Sequence, residues 1–495
     1  MNPRFRVIGA AILLTASTVG AAEKDWPPLL KGATNGTITF TTPAFLDIPE
    51  AVTTEAAKDG AAPFVVAKTP PTVTLAYHQN LGPDAKGRRL WSSWGDICIA
   101  RDGRVYCAIG DHGQDVKGDA RCFIYRWNPV KKVLEQVVDM NAVVPPESGR
   151  PSWSKVHAKL DEGIDGKIYF SCTLNDGNRA KNCTWTDKVP GGQVYAYDPT
   201  TGKTAVVANL PAKRCTATSL YDAKRNIWWC NLEAGEGNAL WGLDLDTRKP
   251  MFQALDGSLG FNRAIALGAD GSVYFNGPDD ARNPAKPVDP KTPTGKKPAA
   301  PTKAEQAEAL AKTISPIWKY DAAINVLRKT RSAFTGTPGM RSSTPETADG
   351  IIYGSTQARN DLFRYSVRDD KLTMLGPTWL TGAYVTVMVR SPDGRFLYYL
   401  PGAHGGAFKH GTPVVQYDIA QGTRKVLAFL APAFDKEYGY VPGGTYGAKL
   451  SADGGTLYVN FNGHASDPLV RPPGRRADGF GLTAFAAISI PATER

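Results

Sequence analysis

Histidine and methionine are scarce in this chain, with six of each in 495 residues, and charged side chains make up only 21%. No Cys-x-x-Cys-His occurs, which excludes covalent haem, and the absence of Gly-x-Ser-x-Gly and Gly-x-x-x-x-Gly-Lys-Ser/Thr excludes a nucleophile elbow and a phosphate loop. His-x-x-His and His-Glu-x-x-His are also missing, so any metal centre must gather its ligands from distant positions. Beyond the N-terminus no apolar run approaches the ~20 residues of a membrane helix. Helical periodicity is nearly absent, the exception being residues 303–312, alanine-rich and opened by the capping box Thr302-x-x-Glu305. What is present is 42% hydrophobic residues with 50 glycines and 37 prolines, enough for a large core and too much for a disordered chain or a small disulfide scaffold.

Residues 1–21 carry Arg4 and Arg6, then an apolar stretch over 7–14, then small residues ending at Ala21. This pattern predicts a cleaved secretory signal peptide and a periplasmic or extracellular protein. A net charge of +11 favours anionic partners such as an acidic polysaccharide. The basic residues are scattered through loops, which argues against nucleic acid, and the chain is expected to be a monomer. All seven cysteines lie between Cys98 and Cys230, a clustering suited to an oxidising compartment. A two-residue Asp102-Gly103 turn would set Cys98 opposite Cys107 within disulfide range, with Cys172–Cys183 and Cys215–Cys230 as looser pairs and Cys122 left over.

A unit recurs along the chain: an apolar strand, an Asp-Gly turn, and a second strand rich in Tyr, Val, Ile and Phe. Its turns fall at Asp102-Gly103, Asp165-Gly166, Asp270-Gly271, Asp349-Gly350, Asp393-Gly394 and Asp453-Gly454, with a variant over residues 223–229, making seven. Most are followed by an apolar-x-Tyr-Asp hairpin, as at Tyr197-Asp198, Tyr320-Asp321 and Tyr417-Asp418. Two hairpins per repeat predict an all-β, seven-bladed propeller of four-stranded antiparallel blades over residues 71–495. Residues 72–77 complete the last blade and close the ring. Residues 22–70 read as an N-terminal arm, and residues 276–317 as a Pro/Lys-rich insertion with a short helix in blade four.

The inner strand of each blade starts on the mouth of the channel where the second strand ends, and loops there carry function. Eight residues before the Asp-Gly turns stand Trp94, His157, Asn262, Arg341, Val385 beside Tyr384, and Thr445 beside Tyr446, with Arg214 nearby in blade three. Past the second strands lie His112, Glu233, Asp279, His404 and His464. Four of the six histidines thus share one mouth.

Histidine, arginine and tyrosine around one channel suit β-elimination on a uronate-containing glycan. That reaction must neutralise the sugar carboxylate, remove the C5 proton and protonate the leaving oxygen. His157 or His112 is the candidate base, Arg341 or Arg214 the neutralising cation, and Tyr384 or Tyr446 the proton donor. Other readings are a divalent metal site (Fe, Mn or Zn) on His404 and His464 with His112 and His157, a calcium-dependent lactonase-like site on Glu233, Asn262 and Asp279, and a propeller that only binds glycan or protein. The signal peptide, the seven Asp-Gly blades and the His/Arg/Tyr mouth resemble secreted bacterial propellers that include ulvan lyase-like and oligogalacturonate lyase-like polysaccharide lyases. That resemblance spans residue 72 to the end and implies uronate cleavage. The metal-binding histidine cluster of such lyases has no residue-by-residue match in His404, His410 or His464.

Overall fold

A computed structural model describes residues 30–81, 91–111, 120–145, 153–173, 190–233, 237–260, 264–279, 302–404, 406–466 and 480–495. Their strands form seven sheets, each with an antiparallel core of four strands, arranged as the blades of a propeller. In chain order the blades span residues 98–139, 155–209, 215–253, 266–335, 340–377, 389–429 and 440–489. The last sheet also takes Thr72–Tyr77, which pairs antiparallel with the C-terminal strand Ala484–Ser489. Among the described residues no helix is long and apolar enough to cross a membrane.

The Asp-Gly repeat is turn chemistry. In six blades the glycine takes φ between 71° and 85°, the left-handed region that favours a residue without Cβ. The aspartate before it caps the turn; Asp102 Oδ1, for example, accepts the Arg104 N–H at 2.9 Å. Blade three uses Asn226 at φ 53° instead. The Tyr-Asp motif does a similar task in the next hairpin, where Asp198 Oδ1 accepts from Thr200 and Thr201 and Asp418 Oδ1 from Ala420 and Gln421. The tyrosine three residues beyond the Asp-Gly glycine faces the next blade. Tyr106, Tyr274 and Tyr353 are all buried there, so in these blades the repeat supplies an inter-blade wedge.

Residues 30–70 run along the outer edges of two blades. Thr37–Phe40 extends the last sheet by pairing with Thr72–Tyr77, and Phe64–Val66 lies parallel to Thr423–Phe429 of the sixth. Both additions cover backbone edges that would otherwise be open to another chain. Glu494 fastens this segment: its carboxylate accepts the N–H groups of Lys68 at 2.7 Å and Thr69 at 3.0 Å and pairs with Lys425 at 3.0 Å. In blade four the helix Lys303–Ala311 begins with the capping box Thr302–Glu305. The signal segment and residues 280–301 lie outside the described residues.

The expected Cys98–Cys107 bridge is absent, and the reason is register. Ala100 N–H bonds to Arg104 O, so the loop holds three residues, Arg101-Asp102-Gly103, and not two. Cys98 therefore faces Tyr106. A slip of one residue sends side chains to opposite sides of a sheet, and Cys98 packs toward the second blade while Cys107 packs toward the last. Cys215 and Cys230 are both buried and are not joined to each other, standing opposite Glu233 and Ser219 respectively. Cys172 is also free, and Cys183 lies outside the described residues. Burial pushes the Cys98 thiol up to about 12 and Cys107 higher still, so both stay protonated and unreactive.

Two outcomes follow from this packing. Alkylation of unreduced, denatured protein and peptide mass mapping will find Cys98 and Cys107 as separate thiols; a cross-linked peptide joining them would refute the register. His78 is enclosed, with Nε2 3.6 Å from Cys107 Sγ and the ring 4.7 Å from Tyr125. Burial lowers its pKa from 6.5 to about 4, against a backbone hydrogen bond with Thr483. The unfolded chain therefore binds the extra proton first. The stabilisation from a neutral His78, about 3 kcal/mol, is complete above the unfolded value and is lost as pH falls from 6.5 toward about 4. Urea unfolding across that range will show His78→Phe with a flatter stability profile by about one proton; an unchanged slope would count against the assignment.

Candidate functional site

One channel mouth is built around Trp94. The segment before the first blade is clamped to the last, Ser93 N–H donating to Asn462 Oδ1 at 2.7 Å and Asn460 Nδ2 to Ser93 Oγ at 2.9 Å. Gly95 then passes so close to the second blade that a Cβ there would sit 2.4 Å from the Ala158 carbonyl oxygen. This approach sets the Trp94 indole 6.1 Å from the His157 ring. Tyr446 lies 4.7 Å from the indole, Phe480 stacks on it at 5.6 Å, and the Lys155 ammonium stands 4.8 Å above it. Covered in this way, Trp94 is a hub of the mouth and not an open platform for a sugar ring.

His157 and Arg341 both line the channel, a cavity of about 490 Å³. His157 Nδ1 is 3.7 Å from Glu233 Oε1, and that oxygen also accepts from Thr173 Oγ1 at 2.9 Å. The carboxylate faces the Nδ1 side of the imidazole. Arg341 stacks its guanidinium 4.5 Å over Tyr384 and 5.8 Å from the Tyr446 ring. His404 completes the rim, its ring 5.5 Å from Trp94, 6.1 Å from Tyr384 and 6.4 Å from Tyr446. Its loop is held down by Gly402 and Ala403, whose N–H groups donate to Tyr384 O. Gly444 (φ 137°) permits the contact, since a Cβ there would meet Ala403 at 2.8 Å.

Five sequence candidates thus meet at one rim: His157, Arg341, Tyr384, Tyr446 and His404. Tyr446 lines the channel where its neighbour Thr445, in the aligned position, does not. The inner strand bulges between Thr445 and Gly447, which turns Tyr446 inward. Arg214 is committed elsewhere, pairing with Asp256 at 2.6 Å and donating to Gly237 O at 2.7 Å, and it does not line the channel. His464 is buried in the strand Thr456–Ala465 with its ring 5.2 Å from Phe408. Among the described residues no three or more His, Cys, Asp or Glu side chains are gathered to hold a metal ion. Asp279, one of the calcium candidates, is exposed and pairs with Lys329 at 2.7 Å. His112 and Asn262 lie outside the described residues.

Below the rim the channel carries charge that the sequence reading passed over. Lys449 Nζ pairs with Asp96 Oδ2 at 2.6 Å, and Asp96 Oδ1 accepts from Ile97 and Ala448 N–H at 2.9 and 3.1 Å. Burial alone would lower the Lys449 pKa, but Asp96 holds it above the ordinary lysine range. Lys159 and Asp161 line the same cavity. His157, Lys159 and Asp161 recur at every second residue, across a bend at Ala158 that separates the strands Lys155–Val156 and Asp161–Glu162.

No family model and no curated protein matches the chain. Among solved structures, a chain of a mitotic checkpoint complex crystal structure is similar at 12% identity, covering 87% of this chain and 98% of that one with a TM-score of 0.47. Hydrazine synthase of Kuenenia stuttgartiensis is similar at 12% identity over 79% and 99% of the two chains, with a TM-score of 0.46. Neither likeness bears on activity, and the seven-bladed ring rests on its own strand pairings.

Proposed function

We propose that this chain is an exported propeller that cleaves a uronate-containing polysaccharide by β-elimination at the Trp94 mouth. The observation that carries the reading is the convergence of His157, Arg341 and Tyr446 on one cavity, with Glu233 behind the histidine. With Nδ1 turned to Glu233, His157 Nε2 is the nitrogen that takes the C5 proton of the uronate. The electron pair of that C–H bond forms the C4–C5 double bond, the C4–O bond breaks, and Tyr446 gives its phenolic proton to the leaving oxygen. Arg341 pairs with the carboxylate and stabilises charge developing at C5. Tyr446 is preferred to Tyr384 as donor because it lines the cavity.

The purified protein, incubated with a panel of acidic polysaccharides, should generate the ultraviolet absorbance of unsaturated uronate on at least one. On that substrate His157→Gln should cut turnover by about 10²- to 10⁴-fold and Arg341→Met by about 10²-fold, with folding intact. Tight binding to one polysaccharide without any absorbance would leave a glycan-binding propeller in place of the enzyme.

A further inference from the structure

We propose that Lys159 and Asp161 form a deep subsite in the channel that holds the carboxylate and a hydroxyl of a terminal uronate unit. The identity of the sugar rests on the lyase reading; the subsite itself rests on the geometry. His157, Lys159 and Asp161 all line the cavity; the segment bends at Ala158, and Asp161 pairs with Tyr169 where Val156 pairs with Cys172, so Lys159 and Asp161 lie further from the mouth than His157. The backbone there is pinned, with Lys159 N–H donating to Ser219 Oγ at 2.9 Å and Leu160 N–H to Asp96 O at 3.3 Å.

The four charged groups at this level are not equivalent. Asp96 and Lys449 satisfy each other and the neighbouring backbone. Among the described residues Asp161 Oδ2 is buried with no hydrogen-bond partner, and the half-buried Lys159 feels Asp96 and Asp161 only through space. An ammonium has three donors to satisfy and a carboxylate only acceptors, and leaving either unmatched inside a protein is costly. Burial, reinforced by the like charge of Lys449, pulls the Lys159 pKa down; burial pushes Asp161 up, against the pull of Lys449 and Lys159. A ligand that brings an anion to Lys159 and a donor to Asp161 relieves both groups together. A uronate unit carries that pair, and a cavity of about 490 Å³ lies within the usual range for a small-molecule site. Because the subsite lies beyond His157, the chain end passes the base before cleavage, and the products are short.

Calorimetric titration of D-glucuronate into the full chain tests the subsite without turnover. The wild type should bind glucuronate at least about tenfold more tightly than D-glucose or glycine. Lys159→Met should lose at least about tenfold, while Lys159→Arg keeps the affinity. Lys159→Gln serves the same comparison if the methionine variant does not fold. Equal glucuronate affinity in folded wild type and Lys159→Met, or equal binding of glycine, overturns the subsite. Lys159-dependent glucuronate binding in a protein that never produces unsaturated uronate keeps the subsite and removes the lyase reading. Elimination whose affinity and product lengths ignore Lys159 does the reverse.

Discussion

Register in the innermost hairpin of each blade governs everything that faces the channel. A left-handed glycine after an aspartate closes that hairpin in six of the seven blades, and its position fixes which alternate residues turn inward. In the first blade the closing pair is Ala100 and Arg104; in the sixth, one more residue fits between Ser391 and Phe396. The extra residue in the sixth blade follows the glycine, so the inner strand before the turn keeps its phase. That is why His157 and Arg341, each eight residues upstream of its aspartate, arrive at the same rim although 184 positions separate them in the chain.

The same constraint explains what could be read in advance and what could not. Blade number and the shared rim followed from the spacing of turns, because Asp-Gly chemistry is local and repeats faithfully. Cys98 and Cys107 were misplaced because a two-residue and a three-residue loop look alike in sequence, yet they put the thiols on opposite faces of one sheet. Tyr446 could be assigned only to within one residue, since a bulge leaves no mark in the pattern. Lys155 and Glu233 owe their roles to contacts between distant segments, with Trp94 and His157 respectively. Such contacts have no periodicity to reveal them.

Lys159 and Asp161 follow His157 at two-residue spacing, but the bend at Ala158 breaks the strand alternation that would have made them legible. They were passed over because charged residues on a strand are ordinarily read as its solvent face, and in a propeller the innermost strand has a second wet face along the axle.

Where the ring draws its cohesion bears on why that axle stays charged. Aromatic wedges such as Tyr106, Tyr274 and Tyr353 are buried between neighbouring blades, and Glu494 ties the two ends of the described chain together. None of these contacts needs the axis. A buried ion pair such as Asp96–Lys449 is, in general, no more stabilising than well-packed apolar groups of the same volume. A ring selected for stability alone would gain by filling its axle with leucine and valine. This one keeps Asp96, His157, Lys159, Asp161, Arg341 and Lys449 around an open cavity and carries its stability at the blade interfaces, which leaves the channel to be shaped by what enters it.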